Sequence, residues 1–133
     1  DPKEMIPSFI KVIENPTIND IGYAAHTDLQ NYFEENNTPY IVLDSKLLLQ
    51  NPKEVLQQFC ELIGINFDEN MLQWGKGARK EDGVWAKYWY DNIHDSVGFM
   101  EYKTKTESFP ERYKSLLDSC KVHYDKLVKK ALR

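Results

Sequence analysis

The sequence predicts an α/β fold, mostly helical, with one clear buried strand at about residues 40–44. Three observations predict it. Apolar residues recur at helical spacing in four separate stretches of the 133-residue chain. The run Tyr40-Ile41-Val42-Leu43 is apolar and β-rich without polar alternation, the pattern of a strand covered on both faces. Such a strand cannot satisfy its own backbone groups. No partner strand is evident in the chain, so the rest of a sheet is expected upstream.

Asp1-Pro2 is an N-cap followed by proline at the first helical position, and Met5, Ile6, Phe9, Val12 and Ile13 form the stripe behind it. Pro7 removes an intrahelical donor, so this helix is expected to start near Pro7 or to kink there. Asn15-Pro16 ends it. Thr17 and Asp20 form a capping box for a second helix carrying Ile18, Ile21, Ala25, Leu29, Tyr32 and Phe33. The strand follows Pro39. Asn51-Pro52 then opens a helix with Val55, Leu56, Phe59, Cys60 and Ile63 inside, and Gly64 stops it. Asp68–Leu72 is a helical turn. Gly75, Gly77 and Gly83 bracket a basic loop, Trp85 to Val97 is an aromatic helix, and 98–109 is irregular. Pro110 starts the last helix, whose stripe runs from Tyr113 through Cys120 to Val128.

Seventeen basic and 21 acidic residues give a net charge of −4, which does not fit a nucleic-acid binder. Residues 17–37 carry Asp20, Asp28, Glu34 and Glu35 with no Lys or Arg, whereas residues 121–133 are strongly basic. Both runs are expected to be solvated helix faces. Cys60 and Cys120 fall on apolar stripes and are expected to be buried, reduced thiols of a cytoplasmic protein. No apolar run is long enough to cross a bilayer.

Three segments carry a family resemblance. Asp1-Pro2-Lys3-Glu4-Met5-Ile6-Pro7-Ser8 resembles the 3′-phosphate-binding segment of sulfotransferases that use 3′-phosphoadenosine 5′-phosphosulfate, with Ser8 at the family's serine and the preceding arginine expected just before Asp1. Tyr40 to Ile65 resembles the family's strand, Asp-Pro turn and helix ending in Leu-Gly-Ile, although its Tyr-Glu-Asp triplet is absent here. Trp74 to Lys87 resembles the late nucleotide loop. In it Gly83 and Trp85 match, Arg79 takes the basic position with Lys80 beside it, and Val84 and Ala86 replace the family's Asp and Lys. A doubly charged phosphate calls for a guanidinium, a hydroxyl donor and close backbone amides, which is the chemistry these residue types offer.

The resemblance implies that residues 1–133 are the C-terminal part of one sulfotransferase-like domain, a three-layer α/β/α sandwich of P-loop type. Its partners would be the phosphosulfate donor, leaving as 3′-phosphoadenosine 5′-phosphate, and a hydroxyl or amine acceptor. Neither nucleic acid nor membrane is implied. The nucleotide-binding residues would be Ser8, Arg79 and Lys80, with Lys76 and Gly77 beside them and Trp85 bracing the loop. The phosphosulfate loop and the catalytic base are expected upstream, so no catalytic residue is assigned here. His26 and His94 have structural readings, His123 is expected to be exposed, and no metal-ligand spacing occurs. Two rivals remain: a non-catalytic helical interaction module, and another P-loop transferase such as a small kinase, which would need a different late loop.

Overall fold

Local capping signals account for several of the elements in the computed structural model, which describes residues 1–104 and 108–133. Helix α1 spans Pro2–Phe9, and Asp1 Oδ1 accepts from the Lys3 amide at 2.9 Å. Pro7 neither delays nor ends this helix, which runs two residues beyond it. Thr17 and Asp20 form the reciprocal capping box, with Thr17 N donating to Asp20 Oδ2 at 2.7 Å. The helix it starts is short. Gly22, in the left-handed region at φ 83°, ends α2 (Ile18–Ile21) and α3 (Tyr23–Glu35) begins directly after it.

Helices α4 (Ser45–Gln50) and α5 (Pro52–Ile63) follow, and Gly64 at φ 75° closes α5. A 3-10 turn covers Glu69–Leu72. The single helix expected from Trp85 to Val97 is two one-turn helices, α6 (Ala86–Trp89) and α7 (Asp91–His94). Tyr90 leaves helical geometry between them, and the His94 carbonyl accepts from the Gly77 amide at 2.7 Å instead of continuing a helix. The last helix, α8 (Lys114–Leu127), has 3-10 turns on both sides.

The α/β expectation is corrected here. Among the described residues there is no β-strand and no sheet, hence no three-layer sandwich and no buried strand at 40–44. Residues 40–43 make one parallel bridge, Val42 to Ala131, in which Leu132 N donates to Val42 O at 3.1 Å. Leu43 is 44% exposed. An apolar run becomes a strand only where neighbouring backbone pairs with it along its length, and one bridge does not suffice.

The chain divides into two compact units. The first contains Asp1–Lys46 and Lys103–Leu132, the second Leu47–Tyr102 with Arg133. In the first unit α8 packs on α1, α2 and α3. Its core is Ile6, Tyr113 and Cys120, with Ile10, Ile18, Ile21, Tyr23 and Leu116 against them. In the second unit Val55 and Cys60 are buried on α5, and Cys60 Sγ lies 3.8 Å from Met71 Sδ. Both cysteines are free thiols.

The charged residues of both runs are exposed, as solvated faces are, and the two runs also meet. Lys130, just after α8, pairs with Glu34 of α3, while Lys126 Nζ in the last turn of α8 donates to Asn31 Oδ1 at 2.6 Å. The Lys130 ammonium, helped by the Tyr40 hydroxyl, holds the Glu34 carboxyl at about 2. His123, expected to be exposed, is half-buried, with Nδ1 2.9 Å from the Thr27 hydroxyl.

The first unit also makes a prediction about alkaline pH. Tyr124 donates to Asp44 Oδ2 at 3.0 Å and lies edge-on to Tyr23. Burial pushes Tyr23 up to about 12, and burial together with the Asp44 carboxylate raises Tyr124 further. Folding therefore favours the protonated phenols. Their stabilising contribution is complete below the ordinary tyrosine value of 10 and is lost as pH rises through 12. In an absorbance titration near 295 nm, these two rings should ionise only as near-UV circular dichroism collapses, and Tyr124→Phe should remove part of that late step. Ionisation of both near pH 10 with intact dichroism would refute this.

Candidate functional site

In the second unit the chain from Gln73 to Gly83 is folded back against the segment 93–99. Gln73 bridges to Gly98, and Trp74 N donates to Val97 O at 3.1 Å. The Trp74 indole donates to Ser96 Oγ at 2.9 Å and stands edge-on to Phe99 at 5.2 Å. Gly98 lets the two segments approach closely, since a Cβ there would lie a tight 3.0 Å from the Leu72 carbonyl oxygen. This anchor positions the glycine-punctuated loop beyond it.

Gly77 takes φ 109°, which L side chains rarely adopt, with open space where a Cβ would point. A tight turn follows. Arg79 N donates to Asp82 Oδ2 at 2.8 Å and Asp82 N donates back to Arg79 O at 3.1 Å. The same Asp82 oxygen is 2.8 Å from His94 Nε2. The Arg79 amide, then the His94 ring, holds the Asp82 carboxyl below its usual range. A cavity of about 600 Å³ opens beside this turn, lined in part by Gln73, Trp74, Gly77, Arg79, Asp82 and His94.

The expected site residues distribute unevenly. Gly77 and Arg79 line this cavity, and Arg79 Nη2 reaches the Gly75 carbonyl at 3.5 Å. Lys76 and Lys80 do not line it. Lys76 pairs with Asp95 at 3.1 Å and Lys80 sits 3.7 Å from Glu81, both on the surface. Trp85 is 68% exposed and packs on Tyr88.

Ser8 belongs to the first unit, exposed near the end of α1. The first-turn amides of α1 are satisfied within the chain. Pro2 has none, Lys3 N is taken by the Asp1 side chain, and Glu4 N and Met5 N by the Asp1 carbonyl. Ser8 stands about 10 Å further along the axis at 1.5 Å per residue.

Sequence reasoning missed the Asp82–His94 pair. It gave His94 a structural reading and Asp82 no role, and nothing in the local pattern joins residues twelve apart before the loop folds back. It also missed a cavity of about 550 Å³ in the first unit, lined by Met5, Phe9, Leu29, Phe33, Tyr40 and Ile41 among others. The apolar run taken for a strand is one wall of it. Among the described residues no group of three His, Cys, Asp or Glu side chains could hold a metal ion, and no helix is long and apolar enough to cross a membrane.

Glycines that open the backbone, a cation on a cavity wall and an aromatic anchor are the materials of an anion-binding loop. Residues 1–131 match the sulfotransferase domain family, and the chain belongs to that family. Two curated plant proteins are similar to it. Branched-chain-amino-acid aminotransferase-like protein 1 of Arabidopsis thaliana is 33% identical over 118 residues, covering 89% of this chain and 21% of that protein. Branched-chain-amino-acid aminotransferase-like protein 2 of the same plant is 30% identical over 120 residues, with coverages of 90% and 21%. The chain thus spans about a fifth of the length of these relatives. No solved structure matches it.

Proposed function

We propose that this chain supplies part of the donor-nucleotide site of a sulfotransferase using 3′-phosphoadenosine 5′-phosphosulfate. The observation that carries the reading is Arg79 on the wall of a cavity of about 600 Å³, on a loop that Gly77 leaves open to close approach. That volume suits a nucleotide-sized ligand. Trp74 gives the cavity an aromatic wall and Arg79 a permanent positive charge suited to an anionic nucleotide, while the Asp82 carboxylate on the same wall is tied to the loop backbone.

In the reaction an acceptor oxygen or nitrogen attacks sulfur in line. The new bond to sulfur forms as the bond from sulfur to the 5′-phosphate oxygen breaks, the acceptor proton passes to a base, and 3′-phosphoadenosine 5′-phosphate leaves. The residues of this chain bind rather than react. Arg79 holds the 3′-phosphate and Gly77 admits it. Lys76 and Lys80 add positive potential from the rim, and Trp85 braces the loop.

Isothermal titration of the protein with 3′-phosphoadenosine 5′-phosphate and with AMP tests this. The 3′-phosphorylated nucleotide should bind measurably tighter. Equal affinity, or no uptake of either, would overturn the reading in favour of a helical interaction module that ignores nucleotides.

A further inference from the structure

We infer that His94 is a positioning residue, which clasps the cationic loop in its anion-binding shape through Asp82. This rests on the nucleotide reading given above. The loop between Trp74 and Gly83 has few apolar contacts of its own, and most of its residues are exposed. Its shape depends instead on a short chain of polar contacts that converges on one residue. The His94 carbonyl accepts from Gly77 N at 2.7 Å and so fixes the first half of the loop. The His94 ring, through Nε2, meets Asp82 Oδ2 at 2.8 Å and fixes the second half. That same Asp82 oxygen accepts the Arg79 amide at 2.8 Å, so the ring, the carboxylate and the backbone of the candidate phosphate ligand form one linked series.

The charged surroundings fit a clasp rather than a free catalytic base. The ring is engaged with Asp82 and edge-on to Tyr90 at 5.9 Å. The next carboxylate along the chain, Asp95, is paired with Lys76. Asp82 carries a negative charge on the wall of the same cavity that would take an anion, which would be unfavourable if the carboxylate were free. Its engagement by the Arg79 amide and the His94 ring ties the carboxylate into the loop and turns the acid into a brace. Both ring and carboxylate are about three-quarters covered, with side-chain exposures of 24% and 21%, so the contact is partly shielded from water.

The test pairs amide hydrogen exchange with titration of 3′-phosphoadenosine 5′-phosphate for the wild type, His94→Ala and His94→Gln. Glutamine can place an amide donor near the position of Nε2, so it serves as the conservative variant. In His94→Ala the Arg79 amide should exchange about tenfold faster, the loss expected for one hydrogen bond to a charged group. Nucleotide affinity should fall about five- to tenfold by the same measure. The Gly64 amide, at the end of α5, should be unmoved and so report an intact fold. His94→Gln should restore both readouts to within about twofold of wild type. Unchanged Arg79 exchange in His94→Ala would overturn the clasp. Faster exchange with unchanged nucleotide affinity would overturn its positioning role. If the wild type binds no nucleotide, the nucleotide reading fails, and the exchange data alone then uphold or overturn the clasp.

Discussion

Arg79→Gln is expected to weaken binding of 3′-phosphoadenosine 5′-phosphate by about 1.5–3 kcal/mol for each ionic hydrogen bond lost, about 10- to 150-fold per bond. Arg79 lines the cavity and its backbone is held by Asp82, so the guanidinium is presented from a fixed turn. A planar fork delivers two parallel bonds to a phosphate, which an ammonium cannot, so Arg79→Lys should recover only part of the loss. Lys80→Gln should do much less. Its side chain is 91% exposed, lies beside Glu81 and is absent from the cavity wall, so its contribution is a long-range one of at most about 1 kcal/mol and fades with added salt. Affinity for AMP should hardly respond to either change. Equal losses for AMP and the 3′-phosphorylated nucleotide in Arg79→Gln would remove Arg79 from the 3′-phosphate site.

Ile6→Ala should destabilise the first unit by about 2–5 kcal/mol, a large share of the 5–15 kcal/mol typical of a small protein. Ile6 is fully buried and clusters with Tyr113 and Cys120, which joins α1 to α8. Truncation loses the transfer energy of the removed carbons and leaves a void that a tight core fills poorly. Urea unfolding should show the midpoint falling with little change in slope. Leu43→Ala offers the contrast. That side chain is 44% exposed, so its removal should cost well under half as much. Similar losses at the two positions would mean that α1 does not organise this core.

Much of the helical framework was legible because its determinants lie within a few residues of each other. The Asp1 cap, the Thr17–Asp20 box and the Gly64 stop each close a hydrogen bond over two to five positions. The same locality made the family visible, since Ser8, Arg79, Gly83 and Trp85 sit in short motifs. It also explains an error in the second helix. Gly22 stands inside an unbroken apolar stripe, and the stripe continues across the left-handed break that divides α2 from α3.

By itself, then, the sequence determined the capped helix ends at Asp1, Thr17 and Gly64, which stretches are apolar, that Gly75, Gly77 and Gly83 punctuate a cationic segment, and the sulfotransferase kinship. Only the tertiary structure decided what those pieces face. It turned the presumed strand at 40–43 into a cavity wall with a single bridge, set Lys130 on Glu34, and joined Asp82 to His94. The physical reason is the range of the interactions. A cap is satisfied by its own neighbours, whereas a strand, an ion pair between helices or a carboxylate–imidazole clasp exists only once distant backbone has been brought to it.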